Sequence, residues 1–320
     1  MAAETAVGAK SQLAWVGETT WGVYTGSPQL RLLPFVSETI KSDIGNVENP
    51  ELRSDRRSST PIQGNLKPGG DINVAWTANA HGWMVYRALG GSVVTTGTDP
   101  YTHTIQESNS PELKSMTLEK GFLDINQYFK YIGARINRLS FTIAPEANIG
   151  GAISIMAKNE QLAATSLDNT PTDQAHIPLD SFSGTVTQAA ATIATLTEMT
   201  LNIDNALAGI NVVASQFYGA LLAARLKVSG TFSMFFADAI QFNRYRNFTE
   251  TDFIIKMQDA AANFIQFQMD NVRYMGSTPQ VGGEGPVFFS GEFAAYIDTA
   301  SAKQIEAVVK NNITNALFTT

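Results

Sequence analysis

The sequence predicts a mainly β chain of two tandem domains, each an antiparallel β unit with one short flanking α-helix. The first observation behind this is a repeat. Leu66-Lys67 followed by Gly70 returns as Leu226-Lys227 followed by Gly230, an offset of 160 in a chain of 320 residues. Upstream, Thr39-Ile40 with Asp43 is echoed by Thr200-Leu201 with Asp204. Self-similarity at a fixed spacing is the signature of a duplicated structural unit. The second observation is the period-two alternation after each glycine: Ile72, Val74 and Trp76 in one copy, Phe232, Met234 and Phe236 in the other. The third is the brevity of the helical stretches, marked by Tyr86-Arg87 and Tyr245-Arg246.

Taken in order, residues 1–29 form an N-terminal arm, apolar and aromatic around Trp15, Trp21 and Tyr24 and punctuated by Gly17, Gly22, Gly26 and Pro28. The first domain spans 30–160. It opens on a strand through Thr39, Ile40 and Ile44, followed by a polar run from Glu48 to Thr60 with Glu51, Arg53, Asp55, Arg56 and Arg57. Pro50 and Pro61 bound that run, which predicts a long exposed loop. A strand follows over Asp71–Thr77, then a helix over Asn79–Leu89 that stops at Gly90-Gly91. Residues 92–115, rich in Thr, Ser, Asp and Pro, are expected to be a surface insertion with one strand at Tyr101–Gln106, largely missing from the second copy. Leu139, Phe141 and Ile143 alternate with polar residues, and Ile153 and Ile155 flank Ser154, as half-buried antiparallel strands do.

Residues 161–184, carrying Asn169-Thr170-Pro171, are expected to be the linker. The second domain, 185–300, holds the cleanest alternation: Met199, Leu201 and Ile203 against Glu198, Thr200, Asn202 and Asp204. Ile265, Phe267 and Met269, and later Phe289 and Phe293 against Ser290 and Glu292, continue the pattern. The tail, 301–320, is expected to hold a turn of helix near Ser301–Val309.

Composition narrows the function. Hydrophobic residues make up 44% and charged residues only 16%, sparse for a soluble monomer, which points to buried subunit contacts. With 22 basic and 29 acidic residues the net charge is −7, so the surface as a whole does not attract phosphate. No cysteine is present, which removes disulfides and thiolate chemistry. The N-terminus lacks a basic segment before an apolar core, and no apolar run reaches the ~18 residues of a membrane span, so the chain is expected in the cytoplasm where it is made.

The three histidines, His81, His103 and His176, share no metal-ligand spacing. No Gly-x-Ser-x-Gly elbow, phosphate loop or dinucleotide fingerprint occurs, and Gly282–Gly285 leads into a strand instead of a helix. No catalytic residue, cofactor or metal is expected. The Arg53–Arg57 cluster is interleaved with Glu48, Glu51 and Asp55 and has no stacking platform beside it, which favours a solvated or protein-contacting loop over nucleic-acid binding.

A set of short motifs, in order and at fixed spacing, resembles the tail tube proteins of long-tailed bacteriophages. They are Glu18-Thr19-Thr20-Trp21-Gly22, Ser37-Glu38, Glu51-Leu52-Arg53-Ser54-Asp55-Arg56, Gly64 to Asp71, Leu89-Gly90-Gly91, Tyr101-Thr102-His103-Thr104, Leu118-Glu119-Lys120-Gly121-Phe122, and Tyr131-Ile132-Gly133 before Ile136. The resemblance is strongest over residues 14–160. It implies a structural protein without catalytic residues, built on an antiparallel β-sandwich or barrel with a flanking helix, in the two-domain type. Subunits of such proteins join side by side so that their inner sheets close into one barrel, and rings of six domains stack into a hollow tube. Two domains per chain then imply three chains per ring, a pseudo-hexamer.

The resemblance places the protein in the virion tail, and in the host cytoplasm during assembly. Its implied partners are copies of itself and the tape measure, tail terminator and tail-tip proteins, with transient, non-specific contact with passing DNA and no membrane. Residues expected to line the lumen are Thr200, Asn202, Asp204, Ser290 and Glu292, with Thr39, Lys41 and Asp43 as first-copy equivalents. The loop residues Glu48, Glu51, Arg53, Asp55, Arg56 and Arg57 are expected to bridge subunits or rings. The rival is a β-sandwich that binds carbohydrate or a receptor, on which Trp15, Trp21 or Trp83 would stack against sugars.

Overall fold

The computed structural model describes residues 5–314 apart from 25, 53, 277 and 282. The first half runs β1 (Ser11–Gly17), β2 (Arg31–Leu32), β3 (Ser37–Glu38), β4 (Lys41–Val47), β5 (Ile62–Ala75), α1 (Ala78–Leu89), β6 (Gly90–Thr96), β7 (Tyr101–Glu107), β8 (Met116–Phe122), β9 (Gln127–Ile143), β10 (Gly150–Met156) and β11 (Asn159–Ala163). The second runs β12 (Asp180–Gln188), β13 (Ala191–Thr192), β14 (Leu196–Asp204), β15 (Ala208–Asn211), β16 (Tyr218–Leu222), β17 (Lys227–Phe235), α2 (Ile240–Arg246), β18 (Thr251–Gln258), β19 (Phe264–Gly276), β20 (Phe288–Ala295) and β21 (Glu306–Asn311). Among the described residues the chain is mainly antiparallel β with two short α-helices, as the alternation predicts.

One strand order occurs twice. In the first half β4–β5–β10–β9 form one layer, and β9 bends into a second layer, β1–β8–β9–β11. In the second half β14–β17–β20–β19 form the layer and β19 bends into β12–β18–β19–β21. β4 thus corresponds to β14, β5 to β17, β9 to β19, β10 to β20, and each helix follows the second strand of its set. The cores lie between the layers, where Leu139, Phe141, Ile153, Leu201, Ile203, Phe267 and Phe293 are fully buried.

The repeated glycines have a steric cause. A Cβ on Gly70 would stand 2.6 Å from the carbonyl oxygen of Thr39, and one on Gly230 would stand 1.9 Å from that of Thr200. Both echoed threonines therefore lie where the backbone of the following strand passes too closely for any side chain. The helix ends are equally local. Thr77 Oγ1 accepts from the Ala80 amide at 3.2 Å as the N-cap of α1, and Gly90, left-handed at φ 71°, closes it.

Three segments differ from the sequence reading. Ser11–Gly17, within the arm, is the strand β1, paired along β8 and burying Trp15, because its Leu13-Ala14-Trp15 run is wholly apolar. Residues 92–115, expected as a surface insertion with one strand, contain the β6–β7 hairpin, and β7 pairs with β21 of the other half. Glu306–Asn311 is that strand instead of a turn of helix, since Ala307 and Val309 alternate into the core. Buried His103 fastens this junction: its Nε2 lies 2.9 Å from the Ile313 carbonyl and 3.1 Å from Asn311 Oδ1.

The N-terminal motifs meet at one carboxylate. Buried Glu18 accepts from the amides of Gly22 and Gly133, each at 2.8 Å, and from Ser115 Oγ at 2.8 Å and Thr117 Oγ1 at 2.6 Å. Four donors offset its desolvation and tie β1, β8 and β9 together.

Two predictions follow from these contacts. Gly230→Ala should lower unfolding free energy by about 1–3 kcal/mol in urea titration, as overpacking does, whereas Gly285→Ala, with nothing within 4 Å of a new Cβ, should leave it within error. Equal effects would remove the steric cause. His81 is fully buried, accepts the Thr77 amide on Nδ1 and directs Nε2 at the Pro34 carbonyl, so it is held neutral with the proton on Nε2; burial lowers its pKa from 6.5 to about 4. The unfolded chain binds the extra proton first. This contribution is complete above pH 6.5 and is lost as pH falls toward 4, at up to about 1.4 kcal/mol per unit. His81→Gln should flatten the pH dependence of stability between those values, and an unchanged slope would assign it to other groups.

Candidate assembly surfaces

The two copies share one sheet. β9 pairs directly with β14, in six register pairs from Ile143 with Met199 to Arg138 with Asp204. The sheet therefore runs without a break in the order β4–β5–β10–β9–β14–β17–β20–β19. One face is the core. On the other face Asn202 stands beside Ser140 and Ser229, Thr200 beside Thr142, and Asp204 between Arg138 and Lys227.

All eight sequence-selected polar strand residues lie on this second face. Thr39, Lys41 and Asp43 stand at the β4 edge, Thr200, Asn202 and Asp204 in the middle, and Ser290 and Glu292 on β20. Their alternate neighbours Leu201 and Ile203 are fully buried. Hydroxyls pair with one another across strands: Thr200 Oγ1 lies 2.8 Å from Thr231 Oγ1 and Ser233 Oγ 3.0 Å from Ser290 Oγ. Acids and bases are interspersed. Lys41 bridges to Asp43 at 3.0 Å with both side chains exposed, and Asp43 and Asp204 stand beside Lys67 and Lys227 at matching positions. The face is polar and mixed in sign, with no basic stripe to hold phosphate. The sequence reading did not single out Arg138, Ser140 and Thr142, because their role depends on β9 meeting the other copy.

The Glu48–Pro61 loop projects at the end of the β4–β5 hairpin. Glu48, Glu51, Arg56 and Arg57 are exposed and Asp55 is half-buried, while Arg53 lies outside the described residues. Short turns shape it: the Glu51 amide donates to Asn49 Oδ1 at 3.1 Å, and Asp55 accepts the Arg57 amide at 2.9 Å and its guanidinium at 2.8 Å. The Arg57 contacts hold the Asp55 carboxyl below the usual carboxylate range. The finger is also apolar. Leu52 is 102% exposed, and Ile44, Val47 and Ile62 are more than half exposed.

The helices differ in the opposite sense. Every residue of α1 is buried at the junction of the two halves, against β9 and β21, and Asn205 Nδ2 donates to the Ala88 carbonyl at its C-terminus at 3.0 Å. No residue of α2 is buried. Around it Phe236, Ile240 and Phe248 are 40%, 55% and 57% exposed, and Tyr296 and Ile297 lie open on the chain that follows β20. Trp15 and Trp83, by contrast, are buried in edge-to-face contact at 5.6 Å, and Trp21 is held by the Gly133 carbonyl and Lys158, so these indoles do not form a sugar-stacking platform. Among the described residues no group of acidic or histidine side chains is arranged to hold a metal ion, and no helix is long and apolar enough to cross a membrane.

A family model described as phage tail tube protein matches residues 8–295. No curated protein matches the chain.

Proposed function

The chain belongs to the phage tail tube protein family, and from that premise we propose that three copies close into a ring of six similar units whose stacking builds the tube for the phage genome. It is a structural protein of the virion tail that assembles with copies of itself. The observation that carries the threefold reading is the β9–β14 seam. Within the chain, the end of β9 meets β14 edge to edge, and α1 is buried beside the junction. The equivalents of those elements are less enclosed: among the described residues β4, equivalent to β14, has β5 as its one long partner, and α2, equivalent to α1, has no buried residue.

A second copy placed as the second half sits on the first would pair β4 with the end of β19 and cover Phe236, Ile240 and Phe248. Repeating this step closes a ring and removes both edges, the usual solution to exposed strands. Each large apolar side chain covered stabilises the contact by about 1.5–3 kcal/mol, more than exposed ion pairs give.

The continuous polar face then turns inward, with Thr200, Asn202, Asp204, Ser290, Glu292, Thr39, Lys41 and Asp43 lining the lumen. Hydroxyls that satisfy one another and charges of both signs give a wall that DNA passes without a fixed site. The loop residues Glu48, Glu51, Arg53, Asp55, Arg56 and Arg57 contact neighbouring subunits. The tape measure, tail terminator and tail-tip proteins are the further partners in this reading, and assembly takes place in the host cytoplasm.

Electron-microscopic averages of assembled rings should show three chains in a pseudo-sixfold outline; six chains per ring would contradict the closure. Assembled tubes should retain no duplex DNA at physiological salt, by filter binding, and retention would contradict a non-binding wall.

A further inference from the structure

The two long connections at the start of the polar sheet are the same length to within one residue, yet they are shaped differently. Asp43 to Lys67 spans one, and the matching Asp204 to Lys227 spans the other. The second is folded back as the β15–β16 hairpin and lies on the first half of the chain. The Gln216 carbonyl accepts the Leu66 amide at 2.9 Å, the Ser215 carbonyl accepts Asn65 Nδ2 at 3.0 Å, and the Leu221 carbonyl accepts Arg135 Nη1. In the first connection the described residues from Glu48 to Pro61 are mostly exposed.

The other half carries a position equivalent to the one that receives the hairpin. Arg135 on β9 pairs in register with Met156 of β10, and Arg273 on β19 pairs with Ala294 of β20, which are equivalent positions. Each guanidinium sits over an aromatic ring, Arg135 at 5.4 Å from Trp21 and Arg273 at 4.9 Å from Phe248. Arg135 is buried beneath the hairpin, whereas the Arg273 side chain is 35% exposed and pairs with Glu250; the Nε of each is buried with no hydrogen-bond partner. Leu221 and Pro61 stand the same six residues before the repeated lysines, Lys227 and Lys67.

We propose that the Glu48–Pro61 loop is a lateral clamp: it folds across the second half of the adjacent chain in the same ring, and Arg273 of that chain donates to its backbone near Pro61. The clamp rests on the side-by-side closure described above, and it assigns the loop to contacts within a ring instead of between rings. Arg273 is a positioning residue for the loop, as Arg135 is for the hairpin.

The absence of native cysteines allows a clean test. Thr60→Cys and Glu250→Cys, both at exposed positions, leave Arg273 in place and are joined in assembled tubes by a short bis-maleimide. Covalent species should stop at three chains. A ladder running beyond the number of chains counted in a ring would place the loop between rings and overturn the clamp, as would the absence of cross-linking. Products that stop at six, with six chains counted per ring, would leave the clamp standing and overturn only the threefold closure. In the otherwise unaltered chain, Arg273→Ala should raise the protein concentration needed for tube assembly at least tenfold while leaving the melting temperature of the free chain unchanged. Unaltered assembly would overturn the assignment.

Discussion

Six backbone register pairs between β9 and β14 set the arrangement of the rest of this molecule. They turn two four-stranded layers into one sheet, fix which face of every later strand is core and which is open, and bring α1 into the angle between the halves. A shift of one residue would send Leu201 and Ile203 to the polar face and Asn202 into the core. Phe141 beside Leu201 and Leu139 beside Ile203 make that slip costly, so the register is held by apolar burial as well as by backbone hydrogen bonds.

The same constraint explains why the isolated chain looks unfinished at its ends. α1 and α2 follow equivalent strands and carry the same Tyr-Arg pair, yet every residue of one is buried and none of the other is. The difference lies in what each meets: α1 is enclosed between β9 and β21 of the two halves, whereas α2 packs on β19 of the second half through half-buried Phe242 and Tyr245. In the proposed ring the missing neighbour is the next copy. Burial of Phe236, Ile240 and Phe248 then dominates the contact, and exposed pairs such as Lys41 with Asp43 contribute little.

Much of this was legible in the residues. The Gly70 and Gly230 echoes mark two places where strands approach too closely for a side chain, and the alternation at Met199, Leu201 and Ile203 gives the orientation of β14 without ambiguity. The three misread segments share one cause. β1, the β6–β7 hairpin and β21 are defined by partners far away in sequence; glycines punctuate the arm around β1 and Thr and Ser fill the hairpin, so both resemble loop, while the short apolar run of β21 is read as a turn of helix. His103 among threonines reads as an ordinary strand or loop residue; Thr95 meets its Nδ1 within the hairpin, and the return of the chain at Asn311 and Ile313 gives its Nε2 partners. The seam residues Arg138, Ser140 and Thr142 were not singled out for the same reason. Periodicity reveals which residues share a face, but not which strand lies beside it.

Hydrogen–deuterium exchange on the free chain and on assembled tubes tests the central claim, that the contact between chains repeats the seam within one. Amides of β9 and β14 should be protected equally in both states. Outward-pointing amides of β4 and those of α2 should exchange rapidly in the free chain and become protected on assembly. Tubes in which β4 and α2 exchange as fast as in the free chain would contradict a ring closed along this seam.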